Sequence, residues 1–264
     1  MDYQIAVPSY RRAELCVKAT LSTLKRHGAD FDRVTVFTAT EAETDLYQQV
    51  LKKAGYRTRI VTGVPCLGPQ RVFINKHYDD GTPILSLDDD VLSLHEVDHN
   101  KQLQPFSKTI DQLATKGFTL CEKTGARLWG INPVANGFYM DQTITIGLRL
   151  VCGTCFGSYA HDPVWTGADR LDFSSGEDWE SSFRSFLRYK GIIRFDGICP
   201  KQNMWGPGGM QDEIGSKEER NKDHTRRLNE IARRYSKFAK IYMKANNVTN
   251  IKLRRITHQK LKWR

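Results

Sequence analysis

The sequence predicts an α/β chain built around a largely parallel sheet, and three observations carry that expectation. Short runs rich in β-branched residues alternate with longer segments whose apolar residues recur at helical spacing. Turn-forming residues separate them at the lengths of successive β–α units. One of the short runs, "PILSLDDDV" (residues 83–91), ends in three adjacent aspartates, and ligands of open α/β sheets collect beyond the carboxyl ends of strands.

In chain order, "YQIAVPSYRR" reads as a buried strand over residues 3–7, stopped by Pro8 and opened into a polar loop. A helix follows over 13–27, with Leu15, Ala19 and Leu24 at near-helical spacing. "RVTVFTAT" is the second strand. "EAETDLYQQVLKKAGY" is the second helix, with Leu46, Val50 and Leu51 expected on its inner face and Gly55 as its stop. "RTRIVTG" gives a third strand, "GPQRVFINKHYDDG" a third helix, and "PILSL" the fourth strand.

The second half is less regular. "GFTLCEKTGARLWGINPVANGFYM" and "QTITIGLRLVCGTCFGSYAHD" read as strands and loops. "SSGEDWESSFRSFLRYKG" reads as a helix with Trp179, Phe183, Phe186 and Leu187 on one face, and "GPGGM" as a mobile loop. A long amphipathic helix is expected after it, with Leu228, Ile231, Tyr235, Phe238 and Tyr242 on one side.

Composition narrows the function classes. The 264 residues are 39% hydrophobic and 27% charged, an ordinary globular balance with no run of about 18 apolar residues that would span a membrane. The start, "MDYQIAVPSY", lacks the form of a secretory signal, so a cytoplasmic location and six reduced cysteines are expected. The lone pair Cys152/Cys155 reads as buried thiols rather than a zinc site. The net charge of +10 is unevenly spread. Residues 217–264 hold 16 Lys/Arg against 4 Asp/Glu, while residues 1–216 hold 24 against 26. A basic excess confined to one segment points to a polyanionic partner. The expected organisation is one domain over 1–216 with a basic, helical C-terminal appendage over 217–264.

Asp88, Asp89 and Asp90 admit two readings: turn formers at a strand exit, or oxygen ligands of a hard divalent cation that screens their repulsion. Upstream, a helix starting near Gly68 points backbone N–H groups outward, and Arg71 adds a planar cation. A helix start, an arginine and a carboxylate pair at one sheet edge suit a diphosphate. No G-x-G-x-x-G or G-x-x-x-x-G-K-[ST] loop is present, so a dinucleotide fold or P-loop is not signalled. In "SSGED", Ser174 and Glu177 fit a capping box, leaving Asp178 available as a general base. A helix start lowers the pKa of such a group unless apolar neighbours offset it.

A strand followed by "PSYRR", a strand followed by "TATE", "LGPQRVFIN…GTPILSLDDD" and a later "GED" together resemble the GT-A class of nucleotide-sugar glycosyltransferases over roughly residues 3–200. Within that class, and on the "GGMQ" loop, the chain looks most similar to the DNA-modifying glycosyltransferases that accompany TET/JBP-type dioxygenases. Those include the base J glucosyltransferase and phage enzymes acting on hydroxymethylpyrimidines. The resemblance implies a Rossmann-like, mostly parallel sheet flanked by helices, a UDP-sugar donor and Mn2+ or Mg2+. It places Pro8, Ser9, Tyr10 and Thr38 at the base and ribose, Arg71 at the diphosphate, and Arg12, Gly68, Asp88 and Asp89 on the nucleotide sugar. Asp88 and Asp90 become metal ligands with His224 as a third; whether Asp88/Asp90 or Asp89/Asp90 form the pair stays open. Asp178, with Glu177 beside it, supplies the base of an inverting transfer.

The implied acceptor is the hydroxymethyl group of a modified pyrimidine in DNA, flipped from the duplex and stacked on an aromatic such as Trp129, Phe138, Tyr139 or Trp165. Arg233, Arg234, Lys237, Lys252, Arg254, Arg255, Lys260 and Lys262 are the expected phosphate contacts. The competing expectations are a protein or glycan acceptor, and a nucleic-acid-binding protein of the same fold without catalysis.

Overall fold

A computed structural model of the chain describes residues 1–170, 176–202, 217–243 and 249–262. The first strands are β1 (Gln4–Pro8), β2 (Val34–Thr38), β3 (Arg59–Thr62) and β4 (Pro83–Leu87). They are joined by α1 (Ala13–Cys16), a π-helical turn (Val17–Leu21), α2 (Ser22–Arg26), α3 (Glu41–Lys53) and α4 (Leu67–His77). After the aspartates come β5 (Val91–Val97), β6 (Leu103–Pro105), α5 (Ile110–Thr124), β7 (Trp129–Ile131), β8 (Thr143–Leu148) and β9 (Cys155–Tyr159). The chain continues through α6 (Pro163–Thr166), α7 (Glu177–Tyr189), β10 (Ile192–Phe195) and β11 (Ile198–Gln202). It ends with α8 (Lys217–Arg234), β12 (Ala239–Met243), β13 (Thr249–Leu253) and β14 (Ile256–Lys262).

Nine strands form one sheet in the order β14-β8-β10-β7-β9-β4-β1-β2-β3. β3, β2, β1 and β4 are parallel neighbours, with Ala6 of β1 level with Thr35 and Ser86. β8 and β9 run against the others, so the sheet is parallel in its first half and mixed in its second. β1 and β2 are buried almost throughout, as strands in the interior of a parallel sheet are. In α3 the buried residues are Tyr47 and Leu51, whereas Leu46 is exposed. Leu51 and Val50 face the core as expected, and Tyr47 takes the place expected of Leu46.

The segment before Trp129 departs from its expected strands. Residues 110–124 form α5, started by a Thr109/Gln112 capping box and ended by Gly125 at φ 75°. Gly117 occupies its middle because the Trp129 ring lies against it; a Cβ there would come within 2.5 Å of the indole.

The basic C-terminal segment is built into the same body. α8 is shorter than expected, and Leu228 and Ile231 on it, with Tyr235 just beyond, are buried against α7. The Tyr235 and Phe183 rings stack at 4.7 Å. Phe238 and Tyr242 lie beyond the helix, Tyr242 within β12. β14 adds an antiparallel edge strand to β8, from Ile256 opposite Leu148 to Lys262 opposite Thr143. The appendage expected to be helical thus closes the main sheet with a strand. No helix among the described residues is long and apolar enough to cross a membrane.

Candidate active site

The aspartates follow β4 at its carboxyl end, and each has its own partner. Asp88 Oδ1 accepts from Arg71 Nη2 at 2.7 Å. Asp89 turns inward: its Oδ2 accepts from Ser9 Oγ at 2.6 Å, and Ser9 in turn lies 2.7 Å from the Tyr47 hydroxyl. Asp90 Oδ1 accepts from Gln202 Nε2 at 3.2 Å. Arg12 lies between the last two, its Nη1 at 3.5 Å from Asp89 and 3.6 Å from Asp90. One guanidinium at that range under-compensates two buried carboxylates. Burial pushes Asp89 up to about 7, only partly offset by Ser9 and Arg12. Asp90 is raised as well, by burial first and then by Asp88.

The backbone behind the triplet is held by the π-helical turn. Thr20 Oγ1 donates to the Asp88 carbonyl at 2.6 Å and accepts from the Val91 N–H at 3.0 Å, while Thr23 caps the Val91 and Leu92 carbonyls. Thr20 belongs to the π turn and Thr23 to α2 just after it; such turns are common beside functional sites. Sequence spacing alone carried no signal for it, nor for Tyr47 or Gln202.

Arg71 is buried in α4 and faces carboxylates. Besides Asp88 it donates to Ser86 Oγ at 3.1 Å, and its Nε lies 3.5 Å from Glu177 Oε1. Its Cζ stands 5.0 Å from the centre of the Phe156 ring. Only 2% of the side chain is exposed, and the guanidinium stands behind Asp88. Gly68 is buried in the first turn of α4.

At the start of α7, Asp178 Oδ1 accepts the Gly153 N–H at 2.9 Å. Gly153 is required there, since a Cβ would fall 2.0 Å from the Arg71 guanidinium. Burial, and next the neighbouring Glu177, raise Asp178 well above the usual carboxylate range. Burial therefore outweighs the helix start, and the group is strengthened as a proton acceptor. The capping-box reading of Glu177 is corrected: the N-cap is Gly176 at φ 85° with no side-chain cap bond, and Glu177 is the first helical residue, paired with Arg71. Ser174 and the "GPGGM" and "GGMQ" residues lie outside the described residues.

Pro8 and Ser9 are buried at the end of β1, with Tyr10 and Arg12 half-buried after it. Thr38, at the end of β2, joins a hydroxyl chain with Thr44 and Thr62, each link 2.6 Å. His224 lies on α8, and among the described residues no group of three or more His, Cys, Asp or Glu side chains is arranged for a metal. The protein's own oxygens are thus those of the triplet. All-oxygen, under-compensated carboxylates of this kind fit Mg2+ or Mn2+, which take one or two protein carboxylates and complete their shell with phosphate and water. Asp89 is turned to Ser9, which leaves Asp88 and Asp90 as the fitting pair.

Trp129 and Trp165 are buried, at 0% and 5% exposure, and serve the core. Of the expected stacking aromatics, Phe138 and Tyr139 are the exposed ones. The six cysteines are free thiols. All eight expected phosphate contacts are exposed. Arg233 and Arg234 end α8 and Lys237 follows; Lys252 is on β13, Arg254 and Arg255 are in the turn after it, and Lys260 and Lys262 are on β14.

No family model matches the chain, and no curated protein matches it significantly by sequence. Its fold matches TarS of S. aureus, residues 1–349 in complex with UDP-GlcNAc, with TM-score 0.54 at 14% identity over 88% of this chain and 67% of that one. It matches the mannosyltransferase PcManGT of Pyrobaculum calidifontis, in complex with GDP-Man and Mn2+, with TM-score 0.57 at 12% identity over 88% and 64%. It also matches glucosyl-3-phosphoglycerate synthase of Mycobacterium tuberculosis, in complex with Mn2+, UDP and glucosyl-3-phosphoglycerate, with TM-score 0.51 at 10% identity over 98% and 88%. The chain has the GT-A fold. It spans about two thirds of the length of the TarS fragment and of PcManGT. Within the GT-A fold the triplet stands at the end of the fourth strand, and Asp178 approaches it from the second half of the sheet.

Proposed function

We propose that the chain is a metal-dependent, inverting glycosyltransferase that uses a UDP-sugar donor. The observation that carries this reading is the convergence of Asp88, Arg71, Glu177 and Asp178 beside the under-compensated Asp90. A divalent cation on Asp88 and Asp90 would neutralise charge developing on the departing diphosphate. Arg71 holds Asp88 in place from behind, and Ser9 and Arg12 hold Asp89. Asp178 takes the proton of the acceptor hydroxyl as its oxygen bonds to the anomeric carbon, and the bond from that carbon to the diphosphate breaks on the opposite side, releasing UDP.

For the acceptor we propose the hydroxymethyl group of a modified pyrimidine in DNA. Its support is the basic C-terminal surface, where Arg233, Arg234, Lys237, Lys252, Arg254, Arg255, Lys260 and Lys262 are exposed while Leu228, Ile231 and Ile251 of the same segment are buried. Such a surface suits a phosphate backbone, and the exposed Phe138 and Tyr139 offer π-faces for an unstacked base. Mass spectrometry of hydroxymethylated and unmodified DNA, incubated with a panel of UDP-sugars and Mn2+, tests the reading. One added sugar on the hydroxymethylated DNA alone is expected. Donor hydrolysis with no sugar on either DNA would remove the DNA acceptor while retaining the donor site.

A further inference from the structure

Beyond the site described, α6, α7 and the end of α8 enclose a cleft of about 490 Å³ lined by Arg184, Arg188, Arg234, Asp169, Tyr235 and Leu187, with Pro163, Val164 and Gly167 at its floor. Three guanidiniums line it with one carboxylate, Asp169, and Arg234 Nη1 also lies 3.8 Å from the buried Glu180 Oε1. The first carboxylate shows what the cleft can hold: Asp169, itself 73% exposed, is bonded to Arg184 Nη2 at 2.9 Å and lies 3.7 Å from Arg234 Nη2. Two guanidiniums carried on separate helices therefore already clamp an oxyanion.

The clamp is preorganised. Arg184 is nine-tenths buried and tied to the Val164 and Pro163 carbonyls at 3.0 and 2.8 Å, while its Nη1 has no hydrogen-bond partner. Arg234 donates to the Asp169 carbonyl at 2.5 Å. Arg188 is exposed and forms no salt bridge with the described residues, so it adds a positive charge that Asp169 does not neutralise. Planar guanidiniums held in this way recognise phosphate oxygens by paired hydrogen bonds. Arg184 and Arg188 lie on α7 about 10 and 15 Å along the axis from Asp178, a short step along a polymer from the atom that would react.

We propose that this cleft is a phosphodiester-binding subsite that grips the DNA strand next to the reacting nucleotide. The ligand rests on the DNA-acceptor reading above, while the binding test does not depend on turnover. A ten-residue oligothymidylate labelled with fluorescein, and the same oligomer with uncharged methylphosphonate linkages, would be titrated by anisotropy across a salt series. R188A should weaken binding of the charged oligomer about three- to tenfold and flatten the log–log salt slope by about 0.7, the loss of one single-strand phosphate contact. D169N removes the competing carboxylate and should tighten binding about two- to fivefold. Neither change should alter binding of the methylphosphonate oligomer. Both substitutions are at exposed side chains, and melting curves would verify the fold.

UDP affinity in Mn2+, measured in parallel by calorimetry, should be unchanged in both variants. Failure of UDP to bind, with the opposite responses of R188A and D169N intact, would overturn the glycosyltransferase reading and leave the subsite standing. Normal UDP binding with R188A or D169N indistinguishable from wild type on the charged oligomer would overturn the subsite. Equal responses on the uncharged oligomer would overturn it too.

Discussion

The two charged regions of this molecule are handled in opposite ways. The carboxylates after β4 are drawn into the protein at a desolvation cost that raises Asp89 and Asp90, and each has a designated partner. Most of the described cations of residues 217–262, Arg233, Arg234, Lys237, Lys252, Arg254, Arg255, Lys260 and Lys262 among them, stay exposed, while Leu228, Ile231 and Ile251 do the packing. Charge that is buried against its own solvation needs a specific ligand to explain it. Charge left in solvent costs the fold little and is free to meet a partner of opposite sign. The acids should therefore govern turnover and the bases affinity.

The sharpest way to break that contrast is to remove the cation or its ligand. Excess EDTA, or D90A, should abolish sugar transfer with the melting temperature retained; full turnover in EDTA would end the metal reading. D178N should lower kcat by about 10²- to 10⁴-fold, the range of a lost general base, with donor affinity nearly unchanged. E177Q should cost more than a capping role would suggest, because it weakens the contact that orients Arg71.

Next in size is truncation after Asn250. If residues 251–262 were only a cationic grip, stability would survive. Since Ile251 is 4% exposed and β14 closes the sheet, stability should fall by roughly 3 to 5 kcal/mol and the melting temperature by about 10 °C. The triple change K252A/K260A/K262A, at exposed positions, sharpens the comparison: it should flatten the salt slope for DNA by about 2 to 3 and leave the melting temperature within about 2 °C. A separate effect is expected in pH dependence. Asp89 titrates near 7 in the folded chain and near 3.8 unfolded, so between those values the folded state binds more protons. Stability without metal should then fall as pH rises from about 4 to about 7. In D89N that slope should be reduced, as followed by thermal melts across the range.

Much of the first half was legible in the sequence, because a strand covered on both faces must be apolar and a turn must carry particular residues. Strand β4 and the triplet after it could be read directly, and so could β2 with its β-branched run. The expected helices over 13–27 and 41–56 were also found, and so was the inner placing of Val50 and Leu51, but Leu46 was misplaced because Tyr47 is the residue held by Ser9 and by the Arg12 N–H. Helix α5 was missed: its interior glycine argues against a helix until the Trp129 ring is seen to need the space. Glu177 was given a cap role that its local spacing suggests, and only Arg71, more than a hundred positions away, decides otherwise.

By itself the sequence determined the alternation of elements, the placement of three carboxylates at a strand end and the concentration of positive charge after residue 216. These depend on local periodicity and composition, which neighbouring residues carry between them. The tertiary structure alone decided which aspartate faces Ser9, which faces Arg71 and which faces Gln202. It also decided that Arg71 joins Asp88 to Glu177, and that the basic segment closes the sheet through β14. Those outcomes depend on contacts between residues far apart in the chain, where burial sets the protonation of Asp178 and hydrogen-bond pairing sets the edge strand, and neither is written in any local run of residues.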